Sequence, residues 1–192
     1  MSPRKRNIDP YPIKLNGVYG KLGSYNTSVR YLQGSLEVNE LDNLSLIQEI
    51  TGSERWGVRQ LFQRNVNQQR VESQIVPYFV HQTRRKFFNP LTIAVMPMDG
   101  DEVKINIIEE DEKIEKIDKI DHTVIEAKNY YKLNIEKANP DYAFIEWNKE
   151  KVRLVAIDGQ HRLNALKNLR STFSSDSGNI DLEAQDFKNW RI

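Results

Sequence analysis

One stretch, VRLVAIDGQHRLNALKNL at 152–169, constrains the fold more than any other part of the chain. Val152, Leu154, Val155, Ala156 and Ile157 form a short, β-branched-rich apolar run broken only by Arg153, which predicts a buried strand. Asp158 and Gly159 follow at once, and these residue types turn a chain and cap a helix. Leu163, Leu166 and Leu169 then recur every three residues beside Ala165, so a helix with one apolar stripe packs back.

Packing alone gives no reason for the polar residues at this junction. Gln160, His161 and Arg162 fall in the predicted first helical turn, where backbone N–H groups lack intrahelical partners and the dipole is positive. A glycine turn lets a ligand approach the backbone, and a helix start favours an anion. Arg162 adds a forked, permanently charged donor suited to phosphate or carboxylate. The five residues Asp158, Gly159, Gln160, His161 and Arg162 are therefore candidate phosphate ligands. A plainer reading stands beside this one: Asp158 as an N-cap, Gly159 as a turn residue and Arg162 as a surface ion-pair partner.

The string Asp158-Gly159-Gln160-His161-Arg162 resembles the signature of the DGQHR-domain family, which includes DndB-type regulators of DNA sulfur modification. That family is similar to the wider ParB/sulfiredoxin superfamily. The ParB signature G-x-R-R-x-x-A falls in register with Gly159 to Ala165, with His161 in place of its first arginine and Arg162 matching its second. Because this turn holds CTP phosphates in ParB proteins, the resemblance implies a nucleotide or nucleic-acid phosphate here. Sulfiredoxins carry G-C-H-R at the same turn, which puts Gln160 where their catalytic cysteine sits. The chain has no cysteine, so sulfiredoxin chemistry is excluded, since an amide cannot replace a thiolate nucleophile. The fold implied is α+β, a ParB/sulfiredoxin-like mixed sheet with packed helices.

Three functions follow. The first is a binding module that holds a nucleotide or DNA phosphate at the turn and regulates a DNA-modification or phage-defence system, with DNA and the other proteins of that system as partners. There Gln160 and His161 contact the ligand, Arg162 neutralises it, and Asp158 fixes the turn or the ligand's cation. The second is an NTPase or nuclease, with a nucleoside triphosphate and Mg²⁺ at the turn, His161 as base and Asp158 as the acid. The third is a protein-interaction module with a degenerate pocket.

The 192 residues suffice for one domain with a real core, and no run of about 18 apolar residues predicts a membrane span. The basic start of the chain has no apolar core after it, so it is not a signal peptide. Absence of cysteine removes disulfides and thiolate metal sites and fits a cytoplasmic protein. Net charge is +1, from 28 basic and 27 acidic residues, so nothing global drives the chain onto nucleic acid. Charge is nonetheless uneven. Between 53 and 86, Arg55, Arg59, Arg64, Arg70, Arg84, Arg85 and Lys86 face only Glu54 and Glu72, whereas 99–121 holds ten acids and four lysines.

Residues 1–12 read as a flexible basic arm carrying Arg4, Lys5 and Arg6, and 13–192 as one DGQHR/ParB-like domain. The chain stops at Trp190-Arg191-Ile192, where superfamily members begin another core strand, so an N-terminal part of a longer protein is expected. Strands are predicted at 13–19 and at 29–36, the latter broken by Gly34. Gly17, Gly20 and Gly23 are too scattered for a phosphate loop, and no Walker motif follows. Short helices are predicted at 41–50, at 54–64 behind Ser53, and after Asn67, where Pro77 forces a kink or an early end. Arg55 and Arg59, four apart, would meet DNA phosphates if those helices formed a helix-turn-helix, and Arg84, Arg85 and Lys86 beside Phe87 and Phe88 would flank stacked bases. A solvated helix face and a core strand are the simpler alternatives.

A strand at 91–96 pairs with 103–108 across Met98-Asp99-Gly100-Asp101, and 109–122 reads as a surface helix or charged excursion. The consecutive Glu109, Glu110, Asp111 and Glu112 cannot converge on one helix face, so no metal site is read there. His81 and His122 have no partner at ligand spacing and read as surface or packing residues. A strand at 142–147 turns at Asn148-Lys149-Glu150 into 152–157 as a hairpin, and STFSSDSGN after Arg170 reads as a loop with a last helical turn at 182–187.

Overall fold

The computed structural model describes residues 11–24, 28–53, 66–81, 89–104 and 108–175. It is an α+β structure with a mixed sheet and packed helices. The described residues fall into two compact units: 11–35 with 108–152, and 36–104 with 153–175.

The first unit is a six-stranded antiparallel sheet in the order β2-β1-β9-β8-β7-β6. Its strands are β1 (Ile13–Leu22), β2 (Val29–Gly34), β6 (Asp111–Ile117), β7 (Ile120–Ala127), β8 (Tyr131–Glu136) and β9 (Tyr142–Trp147). Register aligns Tyr19 with Leu32, Leu15 with Ile145, Leu133 with Ile145 and Ile125 with Leu133, so one face collects a cluster of Ile125, Leu133 and Ala143 with Tyr19, Leu32, Ile135 and Ile145 against it. Of the scattered glycines, Gly17 is required by strand approach, whereas Gly20 lies under the Tyr31 side chain. A Cβ on Gly17 would lie 2.3 Å from the Gln33 carbonyl oxygen, and one on Gly20 would run into the Tyr31 ring.

Polar contacts close this unit. Five flat strand spacings would separate the edge strands by about 24 Å, more than two side chains can span. Yet Arg30 on edge strand β2 donates to Glu110, one residue before edge strand β6, at 2.7 Å, so the sheet curls strongly. The Tyr131 hydroxyl donates to the same carboxylate. Burial alone would raise the Glu110 carboxyl, but Tyr131 and Arg30 outweigh it and hold the group below the usual carboxylate range. The buried Tyr11 hydroxyl donates to Glu126 at 2.9 Å and accepts from the Asn129 N–H at 3.0 Å, pinning the β7–β8 turn. Burial and the Glu126 carboxylate push the Tyr11 phenol up to about 12.

The second unit holds a four-stranded sheet in the order β3-β10-β4-β5, from β3 (Leu44–Leu46), β4 (Thr92–Asp99), β5 (Glu102–Val103) and β10 (Val152–Asp158). Ile47, Ile50, Met98 and Val155 form a buried cluster with Met96 and Val103 against it. The helix Gln160–Ser175 buries Leu163, Ala165, Leu166 and Leu169, the predicted stripe, and packs on Val38–Asn43, β3 and the helical run from residue 68 to 81. That run starts at Gln68–Arg70, widens to a π turn at Val71–Ile75 and continues as Val76–His81. Pro77 lacks an N–H and crowds the carbonyl four residues back, and the wide turn accommodates it without ending the helix.

Several expectations are corrected. The predicted helix at 41–50 is a 3-10 turn Val38–Asn43, strand β3 and a second 3-10 turn Ile47–Glu49. Pairing decides this: β3 lies parallel to β10 with Leu44 opposite Leu154, burying Leu44 and Leu46 while Ser45 between them stays partly exposed. Residues 109–122 are neither a surface helix nor an unpaired excursion. They supply β6 and the start of β7, a hairpin closed by Asp118 and Lys119, both at positive φ. The charged β6 is an edge strand, and charge there discourages pairing with other chains.

Nor do the strands at 142–147 and 152–157 form a hairpin. β9 pairs with β1 and β8, while β10 enters the other sheet beside β3. The partner of β4 begins as the two-residue β5, with Met98 opposite Val103 across Gly100-Asp101. The loop expected from Ser171 is helical through Ser175, and the Ser171 and Thr172 hydroxyls bond back to the Asn168 carbonyl.

Candidate functional site

The predicted strand–turn–helix is present with its boundaries nearly as read. β10 ends at Asp158, and the helix opens at Gln160 with the Leu163 N–H donating to the Gly159 carbonyl at 2.9 Å. Gly159 therefore occupies the N-cap position, and Asp158 is the last strand residue rather than the cap. Gly159 has φ +83°, a conformation side-chain-bearing residues rarely adopt. A Cβ would lie 2.5 Å from Leu91 Cδ2 and 2.7 Å from Arg162 Nη2, so both side-chain ends would have to shift as well. The guanidinium thus lies against the open side of the glycine.

Each signature residue is placed by a specific contact. Arg162 Nη2 donates to the Pro90 carbonyl at 3.2 Å and lies 3.6 Å from Asp158 Oδ2. The Asp158 carboxylate is 77% exposed, so this ion pair adds little stability and leaves the acid facing solvent. Gln160 is buried. His161 Nε2 accepts the Asn67 backbone N–H at 2.9 Å. One turn on, Asn164 Nδ2 donates to Gln68 Oε1 at 3.0 Å, and Gln68 in turn donates to Glu72. Asn67 also caps its own helix, its Oδ1 accepting the Arg70 N–H at 3.0 Å.

Signature helix, Pro90 segment and the start of the 68–81 run are therefore tied together at one point. Asn67 is legible in the sequence as a cap but not as the partner of His161, and nothing local marks Pro90, Gln68 or Asn164 as site residues. The cap was visible from local spacing. A pairing across 94 positions leaves no local signal.

The candidate DNA-contacting residues Arg55, Arg59, Arg84, Arg85 and Lys86 lie outside the described residues, as do Arg4, Lys5, Arg6, the predicted helix at 54–64 and the residues beyond 175. His122 is buried, with Nδ1 3.0 Å from the Ile120 carbonyl and its ring edge-on to Phe144, which makes it a packing residue. The side chain of His81 is not among those described. Among the described residues, no cluster of three or more His, Asp or Glu side chains is arranged to hold a metal ion. No helix among them is long and apolar enough to cross a membrane.

Against known proteins, the chain matches no protein-family model, no curated protein and no solved structure.

Proposed function

We propose that the Gly159 turn binds phosphate, and that the chain is a DGQHR-type binding module of ParB/sulfiredoxin-like fold. In this reading it regulates a DNA-modification or phage-defence system by holding nucleotide or nucleic-acid phosphate there. The supporting observation is the Arg162 guanidinium lying against Gly159 at the start of a sixteen-residue helix. A cation at a helix N-terminus sits on the like-signed pole of the dipole, an arrangement that disfavours itself by about 0.3–1 kcal/mol. An arriving anion reverses the sign of that interaction. Glycine supplies the bare backbone a phosphate needs for close approach.

The enzyme reading needs His161 as its base. His161 Nε2 already accepts a backbone N–H, so in a neutral ring the proton resides on Nδ1. To act as a base, Nε2 would first have to part from the Asn67 N–H. Asp158 remains as a solvent-facing acid that could meet a ligand's Mg²⁺.

The test is a titration with each of the four ribonucleoside triphosphates, with and without Mg²⁺, and with a short DNA duplex and single strand. Arg162→Ala and Arg162→Lys are measured in parallel. Saturable binding that is lost in Arg162→Ala and weakened in Arg162→Lys supports the reading. If none of these ligands binds, the phosphate site is refuted and a protein partner becomes the alternative.

A further inference from the structure

We propose that the hydrogen bond between His161 and Asn67 is an acid-sensitive latch: protonation of the imidazole releases the start of the 68–81 helical run from the signature helix. The latch stands independently of what the turn binds. A backbone N–H can only donate, so the 2.9 Å contact requires a bare lone pair on Nε2. The closed arrangement therefore holds a neutral ring with its proton on Nδ1. Adding a proton at Nε2 sets donor against donor, and the contact has to open. Imidazole is the side chain whose ordinary titration falls between about pH 5 and 8, so this occurs under mild conditions.

The neighbouring tie, Asn164 to Gln68, joins two amides that do not titrate. Charged groups on the described elements packed against the signature helix are Arg70 and Glu72 on the helical run, Glu40 and Asp42 on Val38–Asn43, and Glu37 and Glu49 beside that segment and β3. Glu72 accepts from Gln68, Glu49 holds Lys167, Asp42 holds Arg170, and Glu40 caps the backbone N–H of Glu37. On the signature segment itself, Arg162 and Asp158 face each other.

Acid opening at Asn67 leaves the Asn164–Gln68 bond and the apolar packing between the two helices in place. The start of the 68–81 run then moves without unfolding the signature helix, whose Leu163 N–H bonds to Gly159 and not to a titrating group. A turn and its neighbouring helix are thereby coupled through one protonation event.

The experiment follows the Asn67 amide by hydrogen exchange and the His161 ring by NMR from pH 7.5 to 5, correcting exchange for its intrinsic pH dependence. Protection of Asn67 is expected to fall about fivefold to tenfold, the loss of one ordinary hydrogen bond, with the midpoint of the ring titration. The Leu163 amide should keep its protection. In His161→Gln the side-chain oxygen still accepts the N–H but does not titrate, so Asn67 stays protected throughout. In His161→Ala it is unprotected at every pH. Protection that persists while the ring titrates overturns the latch. So does a ring that fails to titrate in this range, an equal loss at Leu163, or the same pH dependence in His161→Gln.

Discussion

Arg30 and Glu110 come from opposite edges of a six-stranded sheet and share a hydrogen bond. Their meeting makes the sheet curl, and it places a carboxylate between a guanidinium and the Tyr131 hydroxyl. Both partners keep some exposure, at 37% and 26%, so solvent screening limits the worth of the pair.

Replacing Glu110 by Gln should therefore cost about 1 kcal/mol at neutral pH. The carboxyl is held below its ordinary range in the folded chain. Its contribution is present above the unfolded value of about 4.3 and disappears as pH falls through the lower folded value. Urea unfolding of the wild type and Glu110→Gln, followed on amides of β1 and β8, should differ at pH 7 and converge in acid once the folded carboxyl is protonated.

Tyr11 carries the opposite dependence. Its phenol ionises near about 12 in the folded chain against an ordinary 10.0, so the stabilising contribution is complete below 10 and lost as pH rises toward 12. Tyr11→Phe removes the hydroxyl that serves both Glu126 and the Asn129 N–H, at a cost of about 1–2 kcal/mol. Ultraviolet titration of the wild type against Tyr11→Phe should lose one phenol ionising near about 12; a lost phenol titrating near 10 instead would contradict the burial.

At Gly17 the backbone of β2 leaves no room for a methyl group. Gly17→Ala should part the register of β1 and β2 and destabilise the first unit by about 2 kcal/mol. Increased exchange of amides in both strands, with β7 and β8 less affected, is the expected pattern.

Gly159→Ala is strained by the positive φ and pushes aside the Leu91 and Arg162 side-chain ends. A loss of about 1–3 kcal/mol is expected in the second unit. Because the guanidinium must move aside, the variant should also lose phosphate binding beyond what its stability loss explains. Titration at a temperature where both proteins remain folded separates the two effects.

Sequence alone determined the strand–turn–helix from Val152 to Leu169, because each of its signals is local. β-branched residues, Asp-Gly and a three-residue leucine spacing all lie within one or two turns of what they specify. The Asn67 cap was legible for the same reason. Tertiary structure decided everything that depended on a partner distant in the chain. Leu44–Leu46 is a strand because β10 lies beside it, though its leucines also fit a helical stripe. Asp118 and Lys119 turn a hairpin without glycine, since pairing along seven residues on each side holds both at positive φ. The three-residue spacing of Ile114, Ile117 and Ile120 fits a helix face locally, and only the pairing of β6 with β7 overrides it. β9 and β10 diverge into different sheets, β9 pairing with β1 and β8 and β10 with β3, all distant in the chain except β8. The role of His161 belongs to the same class: its residue type was legible at the turn, but the N–H that occupies its lone pair arrives from 94 positions away.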